Sequence, residues 1–262
     1  MTTDVLRDIN ASRFDSFQRS YVDLRSPEFL DRTVEVLNEF GFATFDGLSS
    51  PEDLLPIAAQ FGNVIIHRDS DARGITTIAP KEGAESVSGL AGFTNKELFL
   101  HTDGTAMDNP ASFLLIYCNQ PAESGGESML LDGKKLYEEL AKTNPVLLEE
   151  LKLPGSAVFG SAQNQHKGSI LEIADGLKTL RFRYDELGIY SPTVTQNIPE
   201  LLAIMDGLQV KFSVKKGQGY IVNNRRSLHG RTPFVGNREM FRVLVNVDTA
   251  TPIGEKVELG FK

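Results

Sequence analysis

Apolar positions along the chain switch between two periods, and the switches mark the elements. Leu30, Val34 and Leu37 repeat at helical spacing between Ser26-Pro27 and Gly41, which predicts a helix over 27–40 with Ser26 as cap and Gly41 as stop. Gly41 to Phe45 then reads as a short strand. Ser50-Pro51 opens a second helix ending near Phe61-Gly62, with Pro56 awkward inside it. Residues 64–100 alternate short apolar runs with Gly, Asp and Ser, as strands joined by mobile loops do, and 80–98 is long enough to be a lid over a site. Ala111 to Cys118 is an unbroken apolar run, as in a strand buried on both faces. Gly125-Gly126 predicts a tight turn into a strand through Leu131. Asp132 caps a helix carrying Leu136, Tyr137 and Leu140, and Asn144-Pro145 starts another. In the second half Ile170 to Ile173, Thr179 to Tyr184 and Gly219 to Asn223 predict strands, Pro199 to Leu208 a helix, and Met240 to Val247 the clearest strand. Residues 1–25 pattern weakly and are expected to lie across the surface.

Many short strands, with helices ahead of and between them, suggest a mainly β chain with helical insertions. A double-sheet jelly roll fits, and its open mouth is a natural ligand pocket. No internal repeat, low-complexity linker or shift of composition divides the 262 residues, so one domain over 1–262 is expected. A hydrophobic content of 40% and a charged content of 24% are those of a globular chain with a sizeable core.

Charge narrows the functional classes. The formal charge is −8 with a pI near 5.1, and no long basic run is present, which argues against a nucleic-acid surface. The densest basic spot is Arg225-Arg226. The single Cys118 excludes an internal disulfide, fits a reducing compartment, and reads as a buried structural thiol at the end of an apolar run. No apolar run approaches bilayer length, and Met1 to Asp8 lacks the basic and apolar blocks of a secretory signal. The expectation is a cytoplasmic enzyme acting on a small molecule, with neither nucleic acid nor membrane as partner.

The candidate chemistry lies in Phe99-Leu100-His101-Thr102-Asp103-Gly104. If 98–103 runs as a strand or strand end, His101 and Asp103 share a face and can hold one metal with a second imidazole from His229. Two histidines and one carboxylate on one side of a metal suit a non-haem Fe(II) oxygenase. A structural zinc would want four protein ligands, preferably thiolates, and one cysteine with four histidines makes such a site hard to assemble. The remaining histidines, His67 and His166, read as loop or satisfied core residues. Arg238 and Arg242 lie four apart on an extended stretch and so point the same way. Two guanidinium groups in one pocket call for an anion, and a dicarboxylic acid would meet them with charge-assisted hydrogen bonds. The plain alternative is pairing with surface Asp or Glu.

His101-Thr102-Asp103, Gly125-Gly126-Glu127-Ser128, Asn224-Arg225 ahead of His229, and Arg238 four before Arg242 occur in that order. Together they resemble the Fe(II)/2-oxoglutarate-dependent dioxygenases of the TauD/TfdA superfamily. The run Asn224 to Phe234, which contains His229-Gly230-Arg231-Thr232-Pro233-Phe234, is similar to the clavaminate synthase-like branch. The resemblance covers roughly Phe40 to Val247. It implies a distorted double-stranded β-helix of the jelly-roll, cupin-like kind, with His101, Asp103 and His229 as iron ligands and 2-oxoglutarate and O2 as cosubstrates. It further implies Arg238 on the distal carboxylate of 2-oxoglutarate, Ser128 where the family often has a supporting threonine, and Arg242 near a cosubstrate or substrate carboxylate. Halogenases resembling this scaffold replace the carboxylate ligand with a small residue, so Asp103 argues for hydroxylation or a related outcome such as desaturation. Branch resemblance favours an amino acid or an amino-acid-derived natural-product intermediate as substrate. A sulfonate or other small acid is the rival, and a non-catalytic jelly-roll protein that binds metal or ligand is the alternative of another class. For substrate contact the candidates are Arg183, on an expected strand where a solvated face is the plainer reading, and Glu97, ahead of the metal motif, which would meet an ammonium group.

Overall fold

The structure, a computed structural model, describes residues 16–262. Helix α1 (Phe29–Phe40) begins after Ser26, whose Oγ accepts the Glu28 N–H at 3.2 Å and so caps the turn before the helix. It stops as expected. Gly41 takes a left-handed φ of 78° and its N–H returns to Leu37 O, while a Cβ there would lie 2.3 Å from Ser227 Oγ. The second helix is shorter than its sequence suggests: a 3₁₀ turn over Pro51–Asp53 leads into α2 (Leu54–Ala58). Pro56 falls within the first turn of α2, where a missing N–H forfeits little. Helices α3 (Gly133–Thr143) and α4 (Pro145–Lys152) start where their caps indicate, with Asp132 accepting from Lys134 N–H at 3.0 Å and Asn144 from Leu147 N–H at 2.9 Å. Helix α5 (Pro192–Leu208) opens at a Ser191 cap, seven residues ahead of the expected start, and carries Pro199 inside it. Burial of Val194, Ile198, Leu201 and Met205 along one face offsets the hydrogen bond that Pro199 cannot make.

The strands are β1 (Phe42–Phe45), β2 (Gly62–Val64), β3 (Ile75–Ile78), β4 (Leu98–His101), β5 (Phe113–Gln120), β6 (Ser124–Gly125), β7 (Ser128–Asp132), β8 (Ala157–Ser161) and β9 (Asn164–Gly168). They continue with β10 (Leu171–Ala174), β11 (Leu177–Leu180), β12 (Gly188–Tyr190), β13 (Val210–Phe212), β14 (Gly219–Asn223), β15 (Ser227–Arg231), β16 (Phe234–Val235) and β17 (Glu239–Val247). All pairings between these strands are antiparallel. A six-stranded sheet runs β1-β14-β5-β17-β2, with β3 also on β17, and a four-stranded sheet runs β13-β7-β15-β4. Smaller sheets join β12-β8-β9, β10-β11 and β16-β6.

Period two in the sequence sorts the side chains into layers. On β5, Phe113, Leu115 and Tyr117 join the cluster that α1 and α2 cover, whereas Leu114, Ile116 and Cys118 join Tyr220, Val222, Met240 and Leu244 in a second cluster. Leu130 and Phe212 of the four-stranded sheet belong to that second cluster, so it lies between the two sheets. On β7 the neighbours Met129 and Leu131 face the other way, into a third cluster with α3, α4 and α5. Of the N-terminal segment expected on the surface, residues 1–15 lie outside the described residues, and the part from Ser16 onward is packed. Phe17 and Val22 are buried, and the Val22 N–H donates to Thr44 O at 2.8 Å. Between 80 and 98 the chain forms two 3₁₀ turns, Ala84–Ser86 and Ala91–Phe93, before entering β4.

Candidate active site

β4 ends at His101 and the chain turns at once, so the strand provides the first imidazole and the turn provides the carboxylate of Asp103. The second imidazole comes from the next strand. His229 on β15 is the cross-strand neighbour of His101, with ring centroids 4.3 Å apart. His101 Nε2 lies 3.6 Å and His229 Nε2 3.7 Å from Asp103 Oδ1, and one ligand atom from each residue falls within 4.8 Å of the others. Residues 128 positions apart in sequence meet because antiparallel pairing sets them side by side.

The surroundings prepare these three groups as donors. His101 Nδ1 lies 2.8 Å from Phe99 O, which favours the proton on Nδ1 and turns the Nε2 lone pair toward Asp103. Burial, and after it the nearby His101, pushes the His229 pKa down to about 3, so this ring is neutral and able to ligate. For Asp103, burial acts to raise the pKa, but the adjacent Arg242 guanidinium outweighs it and holds the carboxyl well below the usual range. Arg242 Nη1 donates to Asp103 Oδ2 at 2.9 Å. The backbone of Asp103 is pinned as well: its N–H donates to Asn224 Oδ1 at 2.8 Å, and Asn224 Nδ2 donates to Asp103 O at 3.0 Å and to Ala111 O at 2.8 Å. Two imidazole nitrogens and an ionised carboxylate fit a non-haem iron with open positions. Among the described residues no further His, Cys, Asp or Glu joins the cluster, which leaves a closed zinc site without its fourth ligand.

Arg238 stands at the entrance to β17 and is buried. Its Cζ lies 5.8 Å from the Phe234 ring centroid, and the backbone at Gly126, with φ of 69°, packs so closely that a Cβ there would sit 3.2 Å from Arg238 Cδ and Nε. Among the described residues Arg238 has no carboxylate partner. Burial lowers its pKa. Ser128 is fully buried on β7 beside the Tyr220 phenol, and its Oγ lacks a well-formed hydrogen bond. Arg238 precedes β17, whose pairing with β5 shifts register between Glu239 and Met240, and Arg242 lies within the strand.

Arg183 departs from its sequence reading. The strand expected over 179–184 ends at Leu180, because the chain then changes partner, with the Thr102 N–H donating to Phe182 O at 2.8 Å. Arg183 lies beyond the strand and is engaged. Its Nε donates to Asp185 Oδ1 at 2.7 Å and its Nη1 to Thr105 Oγ1 at 3.3 Å. Glu97 is exposed, one residue before β4. His166 pairs with Asp108 at 3.0 Å. His67 is half-buried and its Nδ1 accepts the Asp69 N–H at 3.3 Å. Its pKa is lowered by burial first and by Arg242 next, with Asp69 and then Asp103 acting in the opposite sense.

Reading by residue type did not single out Asn224 for the turn it clamps, although the order of motifs includes it ahead of His229. Strand period marks Arg231, two residues after His229, as sharing its face, and nothing local marks Tyr220, which lies beside Ser128.

A family model described as taurine catabolism dioxygenase TauD, TfdA family matches residues 5–175 and 183–244. The chain belongs to the TauD/TfdA family. His101, Asp103 and His229 form the one group among the described residues that could hold a metal ion. Gamma-butyrobetaine dioxygenase of Homo sapiens is 27% identical over 175 residues, which cover 58% of this chain and 44% of that protein; the chain spans less than half the length of this relative. Uridine-5′-phosphate dioxygenase of a Streptomyces species is 26% identical over 250 residues, 85% of this chain and 89% of the relative. Among solved structures, asparagine oxygenase superposes with a TM-score of 0.69 at 14% identity, covering 95% of this TauD/TfdA chain and 93% of its own. The same oxygenase in complex with Fe(II), 3-hydroxyasparagine and succinate gives a TM-score of 0.64 at 12% identity, with 95% and 93% covered.

Proposed function

We propose that this protein hydroxylates an aliphatic carbon of a small polar substrate, an amino acid or a molecule derived from one, while 2-oxoglutarate and O2 become succinate and CO2. The observation that carries the reading is the convergence of His101, Asp103 and His229 within 4.8 Å, together with a buried Arg238 that has no acid partner among the described residues. In this reading the two facing sheets are the halves of a double-stranded β-helix jelly roll, residues 1–262 form one catalytic domain, and 80–98 covers its mouth.

Iron held by His101, Asp103 and His229 would supply the activation of dioxygen, with 2-oxoglutarate as the co-reductant, and the chain would supply binding and orientation. His101 and His229 offer ring nitrogens on adjacent strands, so the donor positions are fixed by backbone pairing rather than by loops. Arg238 and Ser128 receive the distal carboxylate of 2-oxoglutarate, which gives the buried guanidinium the counter-charge it otherwise lacks. Arg242 neutralises Asp103 and offers its remaining N–H groups, including an Nε without a partner, to a carboxylate of cosubstrate or substrate.

An amino acid is favoured because the fold is shared over nearly the whole chain with asparagine oxygenase. Arg183, held by Asp185 and Thr105, contributes to substrate binding through that pair rather than as a free cation. Glu97 is proposed to meet a substrate ammonium. The similarity to uridine-5′-phosphate dioxygenase over most of the chain supports a second reading, a small anionic substrate.

The test is a screen of amino acids and small acids with Fe(II), 2-oxoglutarate and O2, read by succinate formation and by mass. Gain of one oxygen identifies hydroxylation and loss of two hydrogens desaturation. Asp103→Ala abolishes succinate formation, and Arg238→Ala mainly raises the KM for 2-oxoglutarate. Absence of succinate with every compound, and without any, would leave a non-catalytic binding protein.

A further inference from the structure

Arg231 occupies β15 two residues beyond His229, and its side chain is 3% exposed. A guanidinium so far from water ordinarily has a carboxylate beside it. This one has none among the described residues. Its Nη2 donates to the Thr94 carbonyl at 2.9 Å, and its Nη1 has no partner. Directly across the strand pair stands Ser128, so the two side chains project to the same face, and the Ser128 Oγ is also buried without a well-formed hydrogen bond. Arg231 and Arg238 flank the same ring, with their Cζ atoms 4.6 Å and 5.8 Å from the Phe234 centroid. Burial, and then the charge of Arg238, pulls the Arg231 pKa down to about 10, a strain that an anion between them would relieve.

We propose that Arg231 is a second anchor for the distal carboxylate of 2-oxoglutarate, closing a cradle with Arg238 and Ser128, and that its bond to Thr94 carries occupancy of the cradle to the segment before the metal-binding strand. The inference rests on the cosubstrate reading above. It accounts for an orphaned N–H and an orphaned hydroxyl on adjacent strands with one ligand group. Phe234, whose ring lies under the Arg231 guanidinium, meets the same segment, its N–H donating to Asn95 O at 3.0 Å. Residues 94 and 95 lead straight into β4 and His101. A carboxylate on Nη1 therefore fixes the guanidinium that holds Thr94, and the approach to the first metal ligand becomes more ordered when cosubstrate is bound.

Binding is measured by calorimetry on the Fe(II)-loaded protein under nitrogen, for the wild type, Arg231→Lys and Arg231→Gln. The ligands are 2-oxoglutarate and pyruvate, which offers the same keto and carboxylate oxygens to a metal but has no distal carboxylate. Arg231→Gln should weaken 2-oxoglutarate roughly ten- to a hundredfold, the loss of one charge-assisted hydrogen bond, and leave pyruvate within about twofold. Arg231→Lys should fall between, because a point charge cannot serve the carboxylate and Thr94 together. Hydrogen exchange of residues 91–98 should slow when 2-oxoglutarate binds the wild type and not when it binds Arg231→Gln. Equal affinity of Arg231→Gln and wild type for 2-oxoglutarate, or an equal loss for both ligands, would reduce Arg231 to a structural strut and overturn the proposal. If the wild type discriminates no more between the two ligands than Arg231→Gln does, the cradle does not read the distal carboxylate. A wild type that binds neither ligand removes the cosubstrate reading itself, and the inference with it.

Discussion

Asn224→Ala tests whether the metal-binding turn is held from behind. Asn224 is 1% exposed and makes three hydrogen bonds of 2.8–3.0 Å, two to the backbone of Asp103 and one to Ala111 O. The alanine removes all three and strands one N–H and two carbonyls in a buried place. At about 1 kcal/mol net for each bond, with part of the desolvation penalty added because the partners stay buried, the loss is roughly 3–5 kcal/mol. For a chain of this size each kcal/mol lowers Tm by about 2–4 °C, so a fall of roughly 6–20 °C is expected in a scanning melt of the metal-free protein. The second consequence is specific to the site. A carboxylate whose backbone is no longer clamped loses its aim, and affinity for Fe(II) should drop about 10–100-fold, in the range found for partners of metal ligands. Asn224→Asp keeps the acceptor for the Asp103 N–H but sets a buried carboxylate against the carbonyls of Asp103 and Ala111, and should destabilise at least as much as the alanine. A Tm within a degree of wild type together with unchanged Fe(II) affinity would refute the argument that this amide positions the ligand.

Three further outcomes follow from other parts of the fold. Arg226 and Asp132 form a buried pair, with bonds of 2.7 and 2.8 Å, and Arg226 also holds the carbonyls of Asn38 and Glu39 at the end of α1; Asp132→Ala should cost about 3–5 kcal/mol in urea unfolding, since it leaves a buried guanidinium uncompensated. Burial pushes the Cys118 thiol up to about 11, so the native protein should resist alkylation at pH 8 and react only when unfolded. For Asp185, burial acts to raise the pKa, but the hydrogen bond and charge of Arg183, helped by the Leu187 N–H, prevail and lower it. A lowered folded value means its contribution is present above the ordinary carboxylate pKa near ~3.9 and fades as pH falls through the folded value. Asp185→Asn should accordingly destabilise the protein by about 1 kcal/mol at pH 7, and by progressively less below about pH 4, in paired melts.

Local chemistry made much of this molecule legible from its residues alone. Gly41 had to end α1 because only glycine takes φ of 78° there at no cost, and Asp132 and Asn144 had to open α3 and α4 because their side chains accept the first free N–H groups. The unbroken apolar run of β5 and the alternation along β17 identified strands in the middle of the larger sheet. Spacing placed His101 and Asp103 together, and the order of motifs supplied His229. Tertiary structure decided the rest. Pro199 sits inside a helix because packing of its buried face outweighs its local preference. Arg183 left its expected strand because Thr102 claimed the backbone of Phe182. Asn224 and Arg231 became parts of the site only when strands far apart in the chain were paired, since period and propensity describe neighbours along the backbone, whereas a clamp or an anion cradle is made by neighbours across it.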